Sequence, residues 1–260
     1  MNEIRYLLEN ISFPGVISIL KWDFLRQLRG SWKFVMEFLA LLTLIVITHV
    51  LIPMLGVEYI GQVVAGIVSV FLLHPMYSAG TVLVEARTFP GRWRFVPESL
   101  GTFALVGLIP RFIVNVLWGV IFLGSFGLTE VNPTFVFSVQ YWGLWLLLVP
   151  FAFGWGLLSQ GISLKLNAGP VVSRAARRLS EGLGCVFFNA KALPTYLYGF
   201  HFFFPHSYLS EWARMGLEEH SKWYYLGGVT WGIVFMFLAG YLFLRALDEY
   251  RRTGRLGRMV

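Results

Sequence analysis

Residues 135–162 read FVFSVQYWGLWLLLVPFAFGWGLLSQGI and contain no charged side chain. A helix of this length crosses the roughly 30 Å of hydrocarbon in a bilayer, for which about 20 residues suffice. Four other stretches are as apolar as this one: 33–55, 60–84, 103–127 and 224–247. A sixth, weaker stretch lies within 170–206. Together these stretches predict an all-α, polytopic membrane protein with six transmembrane helices.

The composition of the whole chain agrees with a membrane protein. Hydrophobic residues make up 57% of the 260 residues and charged residues 13%, and the mean hydropathy is +0.65. Such values lie far from those of soluble domains. The single cysteine, Cys185, excludes an intrachain disulfide and a cysteine-based zinc site. No cleavable signal peptide is expected, because Met1–Asn10 mixes charged and apolar residues.

The basic residues between the apolar stretches alternate regularly. The intervals 56–59 and 127–134 contain no Lys or Arg, whereas basic residues cluster before the first stretch, after the second and fourth, and after the last: Arg5, Lys21, Arg26, Arg29, Lys33, Arg87, Arg92, Arg94, Lys165, Arg174, Arg177, Arg178, Arg251, Arg252, Arg255 and Arg258. Lys and Arg are retained on cytoplasmic loops. The pattern predicts a multi-pass protein of the cell (inner) membrane with both termini in the cytoplasm. It also accounts for the net charge of +7 without a nucleic-acid partner.

The chain divides into three parts. Residues 1–32 form a cytoplasmic and interfacial segment, 33–247 the transmembrane domain, and 248–260 a basic cytoplasmic tail. Within 14–32, apolar residues recur at three- and four-residue steps with the basic residues off that stripe, which predicts an amphipathic helix lying on the inner leaflet. Packing of this helix on a partner subunit is an equally good interpretation.

The loop after the second stretch reads EARTFPGRWRFVPES at residues 85–99. Its prolines confine any helix between them to little more than a turn. A short basic and aromatic helix would suit docking into a groove of a soluble partner. An ordinary positive-inside loop with its aromatic rings on lipid headgroups explains the same residues.

The order Glu85, Gly91, Pro97, Arg111 resembles that in the transmembrane subunits of type-2 ABC exporters, which export drugs, lipids and polysaccharides. Residues 185–194 (CVFFNAKALP) and 204–214 (FPHSYLSEWAR) resemble two later segments of that family. The chain departs from the family pattern at Gly91-Arg-Trp-Arg, where an acidic residue is usual, and at Phe204, where Asn is usual.

The resemblance implies that this chain forms the transmembrane part of a transporter and that a separate protein hydrolyses ATP. A coupling helix in 86–98 would press on a separate nucleotide-binding ATPase subunit, through Glu85, Gly91, Arg92, Trp93, Arg94, Phe95 and Pro97. The segment from about 190 to 223, with its mixed charges at 207–223, would be external and re-entrant, and a second copy of the chain would complete a homodimer. No Gly-x-x-x-x-Gly-Lys-[Ser/Thr] loop occurs in the sequence, so ATP and Mg²⁺ are expected in the partner subunit. No catalytic residue, cofactor or metal ligand is assigned to this chain, and membrane lipid is its other expected partner.

Three arginines, Arg174, Arg177 and Arg178, share one helical face by their spacing. The family register puts the fifth span at about 171–190 and the arginines inside it, where they would form a positively charged entrance for an anionic headgroup such as that of a phosphate- or diphosphate-linked lipid. Alternatively they lie at the cytoplasmic end of the span and reach the headgroups, and the span shifts to about 182–206.

The leading hypothesis is therefore an ABC exporter subunit that forms a substrate pathway. A membrane-embedded enzyme such as a lipid-linked transferase is the alternative, although its acidic candidates, Glu85, Glu98 and Glu181, are scattered along the sequence. A scaffold or channel protein is the third interpretation. The substrate stays open among drugs, lipids and polysaccharides.

Overall fold

The computed structural model describes residues 31–51, 54, 57–78, 100–126, 138–166, 168, 170–215 and 221–252. Within these ranges the chain is helical apart from short turns, and no described residue belongs to a strand. The all-α prediction is confirmed for this part of the protein. Most of the predicted interfacial helix at 14–32, the coupling loop at 86–98 and the last residues of the basic tail lie outside the described residues.

The described α-helices, in chain order, are α1 Ser31–Val46, α2 Val57–Tyr77, α3 Leu100–Phe126, α4 Val139–Leu166, α5 Pro170–Leu183, α6 Thr195–Tyr198, α7 Pro205–Met215 and α8 Ser221–Arg252. A π-helical turn at Ile47–Leu51 extends α1, and 3-10 helices at Ala190–Ala192 and Gly199–Phe203 flank α6. Helices α1 to α4 and α8 each begin within a few residues of one of the five strongly apolar stretches.

Three of the described helices are long and apolar enough to cross a membrane. They contain the segments Leu108–Ser125 of α3, Val139–Leu166 of α4 and Lys222–Ala246 of α8. Shorter apolar segments lie in α1 (Phe38–Val50) and in α2 (Val63–Tyr77). This is the pattern of a membrane protein, because apolar helices satisfy their own backbone hydrogen bonds in hydrocarbon.

Among the described elements, helices α4 and α8 have the most extensive packing contact. Their contacts join Gln140 to Tyr225, Leu148 to Gly228, Gly154 to Phe235 and Gly161 to Phe243. The two sets of residue numbers rise together, so the helices run parallel. Glycine allows the approach, since a Cβ at Gly154 would lie 2.9 Å from the backbone of Phe235.

Helix α2 lies at the centre of the described bundle, packed against α3, α4 and α7. The indole of Trp145 on α4 donates a hydrogen bond to the carbonyl of Leu72 (3.3 Å) and stacks on Phe112 of α3. Helix α1 leans on α3 through Phe38 and Trp118, whose ring centroids are 6.2 Å apart. Helix α3 therefore contacts both α1 and α2.

The chain between α4 and α8 is broken into short pieces. Helix α5 has 14 residues and stops at Leu183, and the turn that follows places Cys185 at a φ of 57°, which is unusual for a residue with a side chain. The Val186 carbonyl then meets α2 at Gly66, where a Cβ would lie 1.6 Å from the oxygen. Only glycine fits at Gly66.

The direction of this segment follows from its contacts. Arg177 contacts His74 near the end of α2, whereas Val186 reaches Gly66, two to three turns earlier in α2. Helix α5 and its turn therefore run antiparallel to α2. Further along, the ring of Trp212 on α7 lies 5.8 Å from that of Tyr141, at the start of α4.

No single helix fills either register expected for a fifth span. The register 171–190 is interrupted at Leu183. The register 182–206 contains the end of α5, a turn, three helical pieces of at most five residues each and the start of α7. Pro194 and Pro205, which lack a backbone N–H, each precede or begin one of the helices here. The apolar pattern correctly predicted helical structure in this segment. It wrongly predicted one continuous helix, because the segment is broken into several short ones.

The segment 207–223, which is expected to be external and of mixed charge, contains most of α7. Glu211 and Arg214 form an ion pair of 2.7 Å, with side chains only 1% and 2% exposed. Arg214 also donates to the carbonyls of Val186 and Phe188, at 3.0 and 2.6 Å. The pair therefore ties α7 to the turn after α5.

Candidate functional site

A cavity of about 600 Å³ opens between α1, α2, α3 and α5. We call it the basic cavity. Its described lining consists of Ala40, Leu41, Leu44, Ile67, Val70, Phe71, His74, Pro75, Ser78, Arg111, Val114, Asn115, Trp118, Arg177, Arg178, Glu181 and Phe187. Ligand sites in proteins commonly have volumes of about 300–1,000 Å³, so the basic cavity is large enough for a small organic ligand.

The lining is divided between polar and apolar residues. On α2 the apolar residues Ile67, Val70 and Phe71 come first, and His74 and Ser78 follow toward the end of the helix. From Ile67 to Ser78 the α-helical rise amounts to about 16 Å. The cavity is therefore elongated along α2, with a polar side at the end of that helix.

Helices α3 and α5 add the charges. Arg111 lies on α3 before the apolar lining residues Val114 and Trp118, and its turn also carries Asn115, whose amide donates to the Arg111 carbonyl at 2.8 Å. Helix α5 contributes Arg177 and Arg178. Polar residues within apolar helices are costly unless they face a cavity, a partner or an interface, and Arg111 faces the cavity.

The charged groups of α5 are held in one network. Arg177 approaches the imidazole Nε2 of His74 with Nη1 at 2.6 Å and the Glu181 carboxylate with Nε at 3.6 Å. Arg178 donates to the other oxygen of Glu181 at 2.7 Å. Glu181, with a side chain 7% exposed, therefore bridges two adjacent guanidinium groups. One carboxylate thus holds both arginines at the wall of the cavity.

The described lining has an excess of positive charge. It contains three guanidinium groups, from Arg111, Arg177 and Arg178, and one carboxylate, from Glu181, which leaves two positive charges with His neutral. Arg177 is partly buried, with 29% of its side chain exposed, and Arg178 is 73% exposed. A site of this kind attracts an anion, and the planar guanidinium donors match the oxygens of carboxylates and phosphates.

A second set of contacts fixes α5 against α2 behind the cavity. The Tyr77 hydroxyl hydrogen-bonds the Ser180 hydroxyl, and the Tyr77 ring stacks on His206 of α7 with centroids 5.3 Å apart. Farther along, the Arg214 hydrogen bonds to Val186 and Phe188 hold the turn on either side of Phe187, which lines the cavity. Helix α7 therefore supports the cavity without lining it.

The residues predicted from sequence fall into two groups. Arg177 and Arg178 line the basic cavity, whereas Arg174 is exposed one turn earlier on α5 and is not among the described lining. The coupling residues all lie outside the described residues: Glu85, Gly91, Arg92, Trp93, Arg94, Phe95 and Pro97. Their proposed role stays a prediction.

Five polar lining residues were not predicted from sequence as parts of this site, although Glu181 was one of the acidic candidates for an enzyme: His74, Ser78, Arg111, Asn115 and Glu181. The available signal was weak, since each is an isolated polar residue in or near an apolar stretch. Interhelical hydrogen bonding explains such residues as readily as a ligand site does. Their convergence depends on how α2, α3 and α5 pack.

The described residues do not suggest a metal centre, because they contain no group of three His, Cys, Asp or Glu side chains placed to hold a metal ion. No protein-family model matches this chain, and a search of curated proteins gave no match.

Proposed function

We propose that this chain is the transmembrane subunit of an ATP-driven exporter of the type-2 ABC class, working with a separate nucleotide-binding ATPase subunit. The observation that carries the proposal is the basic cavity, a ligand-sized space with an anion-attracting side, enclosed by helices of a membrane-type bundle. The order of sequence motifs that resembles this family supplies the class.

A six-crossing layout is part of the proposal, and the parallel α4–α8 pair supports it. Two parallel helices that both cross a bilayer must be joined by a chain that returns to the side where the first began. The segment between them runs antiparallel to α2 at Arg177 and Val186 and ends near Tyr141, at the start of α4. We infer that residues 170–215 make the fifth crossing as a broken path of short helices.

Broken helices inside a bilayer are tolerated where their polar groups find partners within the protein. Here the Val186 and Phe188 carbonyls accept hydrogen bonds from Arg214, and the Ala190 amide donates to Glu211 at 2.9 Å. The buried ion pair thus compensates the interruption after α5. This arrangement is compatible with the external re-entrant segment proposed for about 190–223.

Coupling to the ATPase subunit would act directly on the cavity. Helices α2 and α3 flank the proposed coupling loop at 86–98 and both contribute lining residues. A displacement of that loop by ATP-driven closure of the partner would move two of the four cavity walls. The proposal includes a second copy of the chain, as closed homodimers are the commonest oligomers.

The test is to replace Arg92, Trp93, Arg94 and Phe95 together by Ala and to purify the tagged chain from membranes of its own cell. The wild-type chain should co-purify with ATP hydrolysis activity, and the quadruple variant should lose most of it while inserting normally. The variant Arg255→Ala/Arg258→Ala removes the same charge from the tail and should behave as wild type. Equal ATPase activity in all three preparations, or none in the wild type, would contradict the proposal.

A further inference from the structure

The basic cavity combines two chemistries that one ligand would have to match. Its polar side carries Arg111, Arg177 and Arg178, together with His74, Ser78, Asn115 and Glu181, and the remaining described lining is apolar, including Phe71 and Trp118. A small inorganic anion would leave the apolar part unused, and a neutral hydrocarbon would leave the guanidinium groups without a ligand. An anionic amphiphile satisfies both.

The charge of the lining distinguishes among anions. With Glu181 counted, the described lining retains two positive charges. A single carboxylate would offset one of them, whereas a phosphate monoester near neutral pH carries between about −1.5 and −2. Phosphate oxygens also suit the forked donors of two adjacent arginines.

We propose that the basic cavity binds a phosphate-bearing amphiphile, with the phosphate at Arg177 and Arg178 and the hydrocarbon chain along α1, α2 and α3. Glu181 bridges the two arginines at 3.6 and 2.7 Å and so occupies the donors that the phosphate would use. The incoming phosphate displaces this carboxylate, so Glu181 acts as a built-in competitor for the headgroup. As a statement about what is exported, the proposal rests on the exporter function above; as a statement about binding, it rests on the cavity alone.

If Glu181 competes with the phosphate, substitutions of Glu181 and of the arginines should change the binding affinity in opposite directions. Replacing Arg177 or Arg178 by Gln removes a guanidinium group that would donate hydrogen bonds to the phosphate, and it should weaken binding. Replacing Glu181 by Gln keeps the shape of the side chain and removes its charge, so it should tighten binding. A general loss of structure would weaken binding in every variant and therefore cannot produce this pair of opposite effects.

The experiment measures binding of dodecyl phosphate to the purified full-length chain in a neutral detergent, by native mass spectrometry and by the shift in thermal unfolding. Two compounds serve as controls: inorganic phosphate, which lacks the hydrocarbon chain, and dodecyl maltoside, which lacks the phosphate. We expect saturable binding of dodecyl phosphate, at least tenfold tighter than binding of inorganic phosphate, and no competition by dodecyl maltoside.

The variants then assign the site. Arg177→Gln/Arg178→Gln should weaken dodecyl phosphate binding at least tenfold, and Glu181→Gln should tighten it several-fold. Arg174→Gln is the matched control, because Arg174 lies on the same helix and outside the described lining of the cavity, and its affinity should stay within twofold of wild type.

Three results would overturn the proposal: equal losses in the Arg174 control and the double variant, unchanged or weaker binding in Glu181→Gln, or equal affinities for inorganic phosphate and dodecyl phosphate. The ATPase co-purification test above is independent of these measurements. Binding without ATPase association would therefore refute the exporter function and leave the binding site standing, and the converse result would do the opposite.

Discussion

Two halves of this helical bundle are built in contrasting ways. Helices α4 and α8 approach so closely that glycines are required at their contacts, whereas α1, α2, α3 and α5 leave a space of about 600 Å³ between them. The first half buries large side chains such as Phe151 completely, and the second exposes arginines to a cavity. The contrast separates a tightly packed scaffold from a half with room for the proposed ligand.

The segment from α5 to α7 joins these halves and depends on a buried ion pair. Replacing Arg214 by Met should destabilise the protein by about 3–5 kcal/mol, because it leaves Glu211 as a buried charge without its cationic partner. The midpoint of thermal unfolding in detergent measures this. The double variant Glu211→Met/Arg214→Met removes both charges and should recover part of the loss. If the single variant were as stable as wild type, the pair would not hold the broken segment together.

The scaffold half can be tested at its glycines. Gly154→Val should cost about 1–3 kcal/mol of stability, since even its Cβ would lie 2.9 Å from the Phe235 backbone. Gly124→Val is the control, because a Cβ at Gly124 has no described atom within 4 Å. Thermal unfolding of the two variants side by side gives the difference. Similar midpoints would mean that the α4–α8 contact is looser than described.

A substitution in the half that contains the basic cavity should have the opposite effect, reducing ligand binding with little loss of stability. Ala40 lines the cavity and is exposed, so Ala40→Phe should place a ring in the space proposed for the hydrocarbon chain. Dodecyl phosphate binding should weaken several-fold, and the unfolding free energy should change by less than about 1 kcal/mol. Undiminished binding would show that the ligand uses the arginines without entering the cavity.

The smallest expected effect concerns Arg178, whose side chain is 73% exposed. Arg178→Gln alone should change the unfolding free energy by less than about 0.5 kcal/mol, because the Arg178 guanidinium is largely in solvent and Glu181 keeps its ion pair with Arg177. Its thermal unfolding should be indistinguishable from that of Arg174→Gln. A large destabilisation would assign Arg178 to the structure of α5 and away from ligand binding.

Apolar length alone was enough to predict most of the bundle from sequence. The stretches at 33–55, 60–84, 103–127, 135–162 and 224–247 correspond to helices α1, α2, α3, α4 and α8. Such a signal survives without tertiary information, because a run of apolar residues of that length has few other stable arrangements.

The helical path of the proposed fifth crossing could not be predicted from apolar length in the same way. Its interruption after Leu183 depends on contacts from other parts of the chain, among them Gly66 against Val186 and Arg214 against the carbonyls of the turn. None of these pairings leaves a periodic pattern in the sequence. The register of the arginines was therefore ambiguous.

The candidate site was predicted only in part for a related reason. Arg177 and Arg178 stood out because they are clustered in sequence. His74 and Arg111 are single residues on other helices and join the lining that α5 contributes only through packing. A composite site made of isolated polar residues gives no spacing that sequence analysis can recognise.

The proposed fifth crossing would place the end of α4 and the start of α8 on opposite sides of the membrane. Single cysteines at Lys165→Cys, Lys222→Cys and Arg92→Cys can be labelled with a membrane-impermeant maleimide in intact cells and in inverted vesicles. The native Cys185 is buried, so the unmodified chain provides the blank. We predict labelling of position 222 only from outside and of positions 92 and 165 only from the cytoplasmic side. Labelling of 165 and 222 from the same side, or of 92 from outside, would contradict the account.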